Sequence, residues 1–291
     1  MPKHIESHDN RNEPIVPEGD ATVPLVYFNR VWLDPGESHA FRLAGHEACV
    51  VPVTGTCSVD VAGTRFDGVG GRARLWDGVP NAVYVPVGAP CTITAGDARM
   101  EVFVAGGRFD ETLEPFAVRD DDVQIVQYGS DETKTHRKIK HLLGQGNADR
   151  RGRLLVSELF TVGAGGWSGF PPHKHDTERP PEETRFEEVY NFRFEPEHGF
   201  GCQFDYLADG GGDDGRGPDG ASGRPHHIRH DSTYLIDRGY HPCVAAPGYE
   251  MYYFTIIVGE TSQSLRQYFE PTHAHQIETI PGIKAMVDAF K

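Results

Sequence analysis

The stretch Pro171-Pro172-His173-Lys174-His175-Asp176 places two histidines two positions apart in a chain with many short apolar runs. Side chains two residues apart on a β-strand lie on the same face, so His173 and His175 would direct two imidazoles toward one point. This is a spacing typical of metal ligands. The stretch therefore predicts a metal site built on β structure.

Two further residues complete a predicted ligand set of three histidines and one carboxylate. In the run from Glu188 to Phe194, alternation puts Glu188 on the same strand face as the aromatic residues that follow it. A carboxylate on such a face is costly unless a cation meets it. His241 follows Gly239 in a predicted tight turn and supplies the third imidazole. Such a set suits a zinc-like or iron-like divalent ion with a position left for water or substrate.

Composition favours β structure throughout the 291 residues, which contain 34 Gly, 21 Pro and many short runs rich in Val, Tyr, Phe and Thr. We predict a polar tail over residues 1–22, a first β unit over 23–122 and a second over 123–291. A long mobile loop is expected from Asp209 to Arg224, and a short C-terminal helix from Pro281 to Phe290.

The two β units resemble diverged copies of each other. The segment from Val83 to Gly88 aligns with the segment from Tyr234 to Gly239, with the two glycines at equivalent positions. The first unit has no His-x-His and only the isolated His39 and His46, so we expect the metal in the second unit alone.

Charge and cysteine usage restrict the partners and the compartment. The formal net charge of −15 disfavours nucleic acid and anionic membranes as partners. The five cysteines are scattered without a Cys-x-x-Cys pair, which argues against a disulfide framework and favours a reducing cytoplasm. Neither a signal peptide nor an apolar run of roughly 18 residues is visible.

The ligand pattern resembles that of the cupin superfamily, small β-barrels with a metal in the mouth. Several motifs are similar to those of the 5-deoxy-glucuronate isomerases of inositol catabolism, namely the runs Gly166 to Asp176, Pro180 to Glu183, Phe186 to Tyr190, Arg238 to Pro242 and Pro247 to Tyr253. The resemblance implies an all-β bicupin with two tandem jelly-roll barrels. From the related 4-deoxy-5-keto-uronate isomerases it implies zinc on His173, His175, Glu188 and His241, with Mn or Fe as other options, and it leaves open a homodimer.

The implied reaction converts the aldehyde 5-deoxy-glucuronate into the ketone 2-deoxy-5-keto-gluconate, with a metal polarising the carbonyl and the neighbouring hydroxyl. Candidates for moving the proton are Glu187, Tyr190 and Tyr253, with Tyr252 on a neighbouring position. A small anionic sugar acid also needs a cation for its carboxylate, and the candidates are Arg185, Arg193, Arg238 and Arg137.

Two alternatives share this ligand set. One is a metal-dependent cupin oxygenase, which would need redox-active iron and oxygen. The other is a non-catalytic cupin that binds sugar acids. His226, His227 and His230 are rival imidazoles near His241, for which exposed positions in a polar loop are the simpler interpretation.

Overall fold

A computed structural model describes residues 3–207 and 223–289 of the chain. Strands dominate these residues, and the short C-terminal helix α1, Ile283–Ala289, is present as predicted. The predicted loop from Asp209 to Arg224 lies largely outside the described residues. The all-β prediction is confirmed.

The chain begins with a short strand, β1, His4–Ile5. The first barrel then uses eight strands: β2 Val26–Leu33, β3 Ser38–Phe41, β4 His46–Val61, β5 Thr64–Arg72, β6 Ala82–Val85, β7 Cys91–Ala95, β8 Met100–Arg108 and β9 Phe116–Val118. Its larger layer runs β2-β8-β4-β6-β9, and the long β4 continues into a second layer with β5 and β7. Valines and other apolar residues of both layers fill the barrel interior.

The second barrel contains the remaining strands: β10 Gln124–Tyr128, β11 Arg137–Leu143, β12 Leu154–Thr161, β13 Gly166–Ser168, β14 His173–Lys174, β15 Phe186–Glu195, β16 Phe200–Asp205, β17 Arg224–Arg229, β18 Thr233–Ile236, β19 Cys243–Ala245, β20 Glu250–Gly259 and β21 Tyr268–Phe269. Its larger layer is the seven-stranded sheet β1-β18-β15-β20-β12-β11-β10. The sheet β13-β19-β16-β17 forms the opposing layer, and β14 pairs with β21.

The two large sheets pack against each other and form the main apolar core between the barrels. Phe103 of the first barrel and Phe254 of the second lie with ring centroids 4.9 Å apart. The inner strands β12, β15 and β20 of the seven-stranded sheet therefore bury both faces, one against the first barrel and one toward the interior of their own barrel. The sequence of a strand that is buried on both faces is a nearly continuous apolar run, and β20 has such a sequence.

Equivalent strands occupy equivalent places in the two barrels. β6 lies beside β4 in the first sheet as β18 lies beside β15 in the second, and β8 corresponds to β20. The sequence match of Val83 to Gly88 with Tyr234 to Gly239 therefore joins topologically equivalent strands. In the first barrel His46 contacts Glu18, with 2.9 Å between Nδ1 and Oε1.

The N-terminal segment is not a separate tail. His4 and Ile5 pair with Tyr234 and Thr233 of the second barrel, and Val16 bridges to Phe28 of the first. Residues 3–22 thus contact both barrels, so the described part of the predicted polar tail packs against the folded chain. No helix in the described ranges is long and apolar enough to cross a membrane.

Candidate metal centre

Three of the four predicted ligands meet in the interior of the second barrel. Donor atoms of His175, Glu188 and His241 all lie within 4.8 Å of one another. Glu188 Oε2 is 3.1 Å from His175 Nε2 and 3.4 Å from His241 Nε2. All three side chains are buried, with at most 3% of the residue exposed. Two imidazole nitrogens and a carboxylate oxygen at this spacing are a donor set for a divalent transition metal.

Backbone carbonyls hold the imidazole rings in orientation. The Nδ1 atoms of His173, His175 and His241 lie 3.1, 3.1 and 2.8 Å from the carbonyl oxygens of Pro171, Phe186 and Gly239. A proton on each Nδ1 leaves the Nε2 lone pair free for a metal. His241 Nε2 is buried and has no hydrogen-bond partner among the described residues. The donor set therefore fits a metal ion.

The electrostatics of the group agree with this interpretation. Burial alone would raise the pKa of Glu188, but the close approach and charge of His175 and His241 lower it to about 2. Burial and repulsion by the other two histidines lower the pKa of His173 well below its usual value. The ionised Glu188 and the neutral His173 are in the protonation state that metal ligands require. Burial would lower the pKa of His175, but the hydrogen bond and charge of Glu188 raise it, so a metal that binds there would displace a proton.

His173 lies beside this group with its Nε2 turned to another partner. Its ring centroid is 5.1 Å from that of His241, and its Nε2 is 3.0 Å from the side-chain nitrogen of Gln267. Gln267 immediately precedes β21, the strand that pairs with β14. The three-donor group is thus formed without His173, whose ring packs beside that of His241.

A cavity of about 220 Å³ opens next to the group. Glu188 and His173 line it together with the predicted catalytic residues Tyr190 and Tyr253. Apolar side chains form most of the remaining wall, including Ile139, Leu159, Phe170, Ile283, Met286 and Val287. The short helix α1 therefore covers one side of the cavity. Arg137 also lines it, and it is the one predicted arginine that does so.

Glu187 and Arg193 do not reach the cavity, because odd-numbered residues of β15 face the first barrel. Glu187 Oε2 accepts a hydrogen bond of 2.8 Å from the backbone nitrogen of Leu25. Arg193 is paired with Glu101 at 2.6 Å and with Asp231. The predictions of Glu187 as a catalytic residue and Arg193 as a substrate ligand are therefore corrected. Tyr252 also faces the first barrel, 3.3 Å from Glu158.

The other two predicted substrate ligands lie on the surface. The side chain of Arg185 is 46% exposed and lies 3.4 Å from Glu260. That of Arg238 is 65% exposed and lies 4.0 Å from Asp237. Neither lines the cavity, so their assignment is corrected as well. His226 and His227 lie on β17, and His230 contacts the backbone nitrogen of Phe194 at 3.2 Å.

Some cavity contacts were not predicted from the sequence. Tyr253 OH lies 2.5 Å from Ser168 Oγ and accepts a hydrogen bond of 2.7 Å from Arg137. Tyr128 OH accepts another from Arg137 at 2.8 Å. Tyr128 and Arg137 are directly paired across β10 and β11, and this register comes from the folded sheet. Residue spacing carried no signal for it.

Two tandem barrels, of which the second encloses a buried His–Glu–His donor group, define a bicupin with a potential metal centre. The chain belongs to the KduI/IolB family, which it matches over residues 2–276. The resemblance noted in the sequence is thereby confirmed. The protein is an enzyme of the isomerase class.

Relatives and solved structures agree with this family. The 5-deoxy-glucuronate isomerase of Geobacillus thermodenitrificans (strain NG80-2) is 30% identical over 262 residues, 88% of this chain and 89% of the relative. The crystal structure of an IolB-like protein from Salmonella typhimurium LT2 superposes with a TM-score of 0.80 at 27% identity, covering 93% of this chain and 96% of that one. Oxalate decarboxylase of Lactobacillus farciminis, at 11% identity and a TM-score of 0.59, covers 96% and 90% and shares the fold.

Proposed function

We propose that the protein isomerises 5-deoxy-glucuronate to 2-deoxy-5-keto-gluconate in inositol catabolism, at a divalent metal held by His175, Glu188 and His241 with His173 as a fourth ligand. Hydrogen moves from C2 to C1 of the substrate, so the aldehyde becomes a ketone without loss or gain of atoms. The observation that carries the proposal is the buried three-donor group beside a mostly apolar cavity. The names of the relatives support the choice of substrate.

A divalent ion at this site supplies a Lewis acid that polarises a carbonyl oxygen and an adjacent hydroxyl. Zinc is the ion we propose first, because three imidazoles and one carboxylate suit it and leave a position for substrate. Backbone carbonyls contact Nδ1 of His175 and His241, so the Nε2 atoms of these two residues would be the ones that hold the ion.

Tyr190 is the residue that we assign to a substrate oxygen. Its side chain lines the cavity, and its ring centroid is 6.4 Å from that of His241. Burial and the charge of Glu188 raise the pKa of Tyr190 well above its usual value. The phenol therefore keeps its proton at neutral pH and acts as a hydrogen-bond donor rather than as a base.

The test is an anaerobic assay of purified protein with 5-deoxy-glucuronate, following loss of the aldehyde and formation of the ketone. We expect turnover with bound metal, loss of turnover after chelation and recovery on adding Zn²⁺ or Mn²⁺. A metal-dependent oxygenase would give no turnover in the absence of oxygen. Metal-replete protein that binds the sugar acid without turning it over would overturn the isomerase proposal.

A further inference from the structure

Arg137 is a buried cation with no anionic partner among the described residues. It lies on β11, is 4% exposed and lines the cavity that Glu188 and Tyr190 also line. Its Nη1 and Nη2 donate to the phenol oxygens of Tyr128 and Tyr253, at 2.8 and 2.7 Å. Its Nε is buried without a hydrogen-bond partner among the same residues.

The other deeply buried arginines in the described ranges are compensated. Arg72 donates two hydrogen bonds of 2.8 Å to Glu158, and Arg193 forms ion pairs with Glu101 and Asp231. Arg30 pairs with Asp231. Arg151 donates to backbone carbonyls through all three nitrogens, at Gly144, Gly152 and Gln263. A buried charge costs free energy unless it is paired, so the missing partner of Arg137 requires an explanation.

The two phenols hold the guanidinium in place and leave bonding capacity free. Tyr253 OH accepts a hydrogen bond from Arg137 and lies 2.5 Å from Ser168 Oγ, where either hydroxyl can be the donor. A guanidinium has five N–H donors, of which two are used here. In a guanidinium the Nε–H and the Nη2 group lie along one edge, and the Nε of Arg137 has no partner among the described residues. That edge matches the two oxygens of a carboxylate.

We propose that Arg137 binds the carboxylate of the substrate and selects acids over uncharged sugars. This inference rests on the proposed function, because it takes the aldehyde end of the same molecule to lie at the His175–Glu188–His241 group. A sugar acid with a carbonyl at one end and a carboxylate at the other has the two groups that this cavity requires. Tyr128, Tyr253 and Ser168 are positioning residues for the guanidinium.

The proposal also accounts for acid binding by an acidic protein. At a net charge of −15 the molecule repels small anions at long range, so affinity for an acid has to come from a local cation. In a cavity with mostly apolar walls, the attraction between a guanidinium and a carboxylate is much stronger than in water. The substrate would supply the anion that the folded protein lacks at Arg137.

The experiment compares Arg137→Met, Arg137→Lys and wild type with 5-deoxy-glucuronate and with its uncharged methyl ester. Losing charge-assisted hydrogen bonds to a carboxylate is expected to raise KM for the acid about 10- to 100-fold in Arg137→Met. KM for the methyl ester should change by no more than about threefold in the same variant. Arg137→Lys should recover only part of the preference, because a lysine lacks the planar fork.

Lys138→Met is the matched control, since it removes one positive charge from the same strand at a residue that does not line the cavity. It should leave the preference for the acid unchanged. Metal content is measured in all variants and should stay at the wild-type level. An Arg137→Met protein that still prefers the acid over the ester to the wild-type extent would overturn the inference.

A second readout separates this inference from the isomerase proposal. If wild type turns over neither compound, binding of D-glucuronate to metal-loaded protein is measured by calorimetry. Binding by wild type and Lys138→Met, with at least about tenfold weaker binding by Arg137→Met, supports the carboxylate site even though the isomerase proposal has failed. Equal binding by all three proteins, or no binding by wild type, overturns the carboxylate site.

Discussion

Glu187 and Glu188 are neighbours on β15, and their carboxylates lie on opposite faces of the seven-stranded sheet. Glu188 Oε2 is 3.1 Å from His175 Nε2, inside the second barrel. Glu187 Oε2 is 2.8 Å from the backbone nitrogen of Leu25, on the side of the first barrel. The same chemical group thus has two places one residue apart, one in the candidate metal centre and one in a contact between the barrels.

Glu188→Gln and Glu187→Gln should therefore differ in metal content. We expect Glu188→Gln to weaken metal binding at least about 100-fold, because an amide oxygen carries no charge to balance the cation. Glu187→Gln should keep the wild-type metal content. Elemental analysis after dialysis against a weak chelator measures both. If Glu187→Gln loses metal and Glu188→Gln keeps it, then Glu187 rather than Glu188 points into the second barrel.

Alternation along β15 predicted that Glu188 faces the candidate metal centre, and it could also have excluded two candidates that do not reach the cavity. Glu188 and Tyr190 share a face, and the structure places both beside the cavity. Glu187 and Arg193 have the opposite parity, so the same rule places them on the other face. Composition does not show which residues of β15 face the cavity, because the face toward the first barrel is as buried as the face toward the cavity.

Other features depend on contacts between distant parts of the chain, and no local pattern encodes them. The pairing of His4 with Tyr234 joins the N-terminal segment to the second barrel across more than two hundred residues. Arg137 and Tyr253 are 116 positions apart and meet through the sheet register. Periodicity tells which residues share a strand face. It does not tell which strands become neighbours.

His173 should contribute less to metal affinity than His175. The donor atoms of His175, Glu188 and His241 are already within 4.8 Å of each other, whereas His173 Nε2 is in contact with Gln267. We expect His175→Ala to lose metal under competition with a chelator, and His173→Ala to retain it with affinity reduced about 10- to 100-fold. Titration with a chromophoric chelator gives both constants. If His173→Ala loses more metal affinity than His175→Ala, then His173 is a principal ligand.

Gly239→Ala should weaken metal binding through the turn that carries His241. Gly239 has a φ of +86°, and a Cβ there would lie 2.7 Å from the carbonyl oxygen of Tyr206. Its own carbonyl holds His241 Nδ1, and its nitrogen donates to Asp176 Oδ2. An L-residue at positive φ costs about 1–2 kcal/mol, and the clash adds a displacement of the turn.

Gly248→Ala is the control for that prediction, since Gly248 has a φ of +95° but no atom within 4 Å of the added Cβ. Both variants should lose stability from the positive φ. Only Gly239→Ala should also lose metal affinity, by about tenfold or more as His241 shifts. Melting temperature and chelator titration measure the two effects. Equal metal affinity in the two variants would show that the turn does not set the position of His241.

Glu158→Gln should be strongly destabilising. Glu158 is fully buried between the barrels. It accepts two hydrogen bonds of 2.8 Å from Arg72, and its Oε2 lies 3.9 Å from Lys140 Nζ. Removing its charge leaves two buried cations unpaired, which costs about 3–5 kcal/mol. Glu6→Gln is the control, because its pair with Arg229 is 58% exposed on both sides and contributes about 0–1 kcal/mol. Calorimetric melting that shows equal effects for the two variants would contradict a buried charge cluster.

Lys140 should make stability depend on pH above neutrality. Burial lowers its pKa to about 8, although Glu158 opposes the shift; Arg72, Lys138 and Asp77 are the other charged groups that affect it. The unfolded chain holds a lysine proton up to a pH of about 10.4. Between pH 8 and 10.4 the unfolded state therefore binds more protons, and the contribution of Lys140 to stability increases with pH.

Lys140→Met lacks this titration, so its stability relative to wild type should fall by about 1–3 kcal/mol between pH 7.5 and 10. Comparing the two proteins at each pH removes the effects of other groups that titrate in the same range. Melting curves at four or five pH values provide the measurement. A constant difference across this range would mean that Lys140 stays protonated in the folded protein, with Glu158 compensating its burial in full.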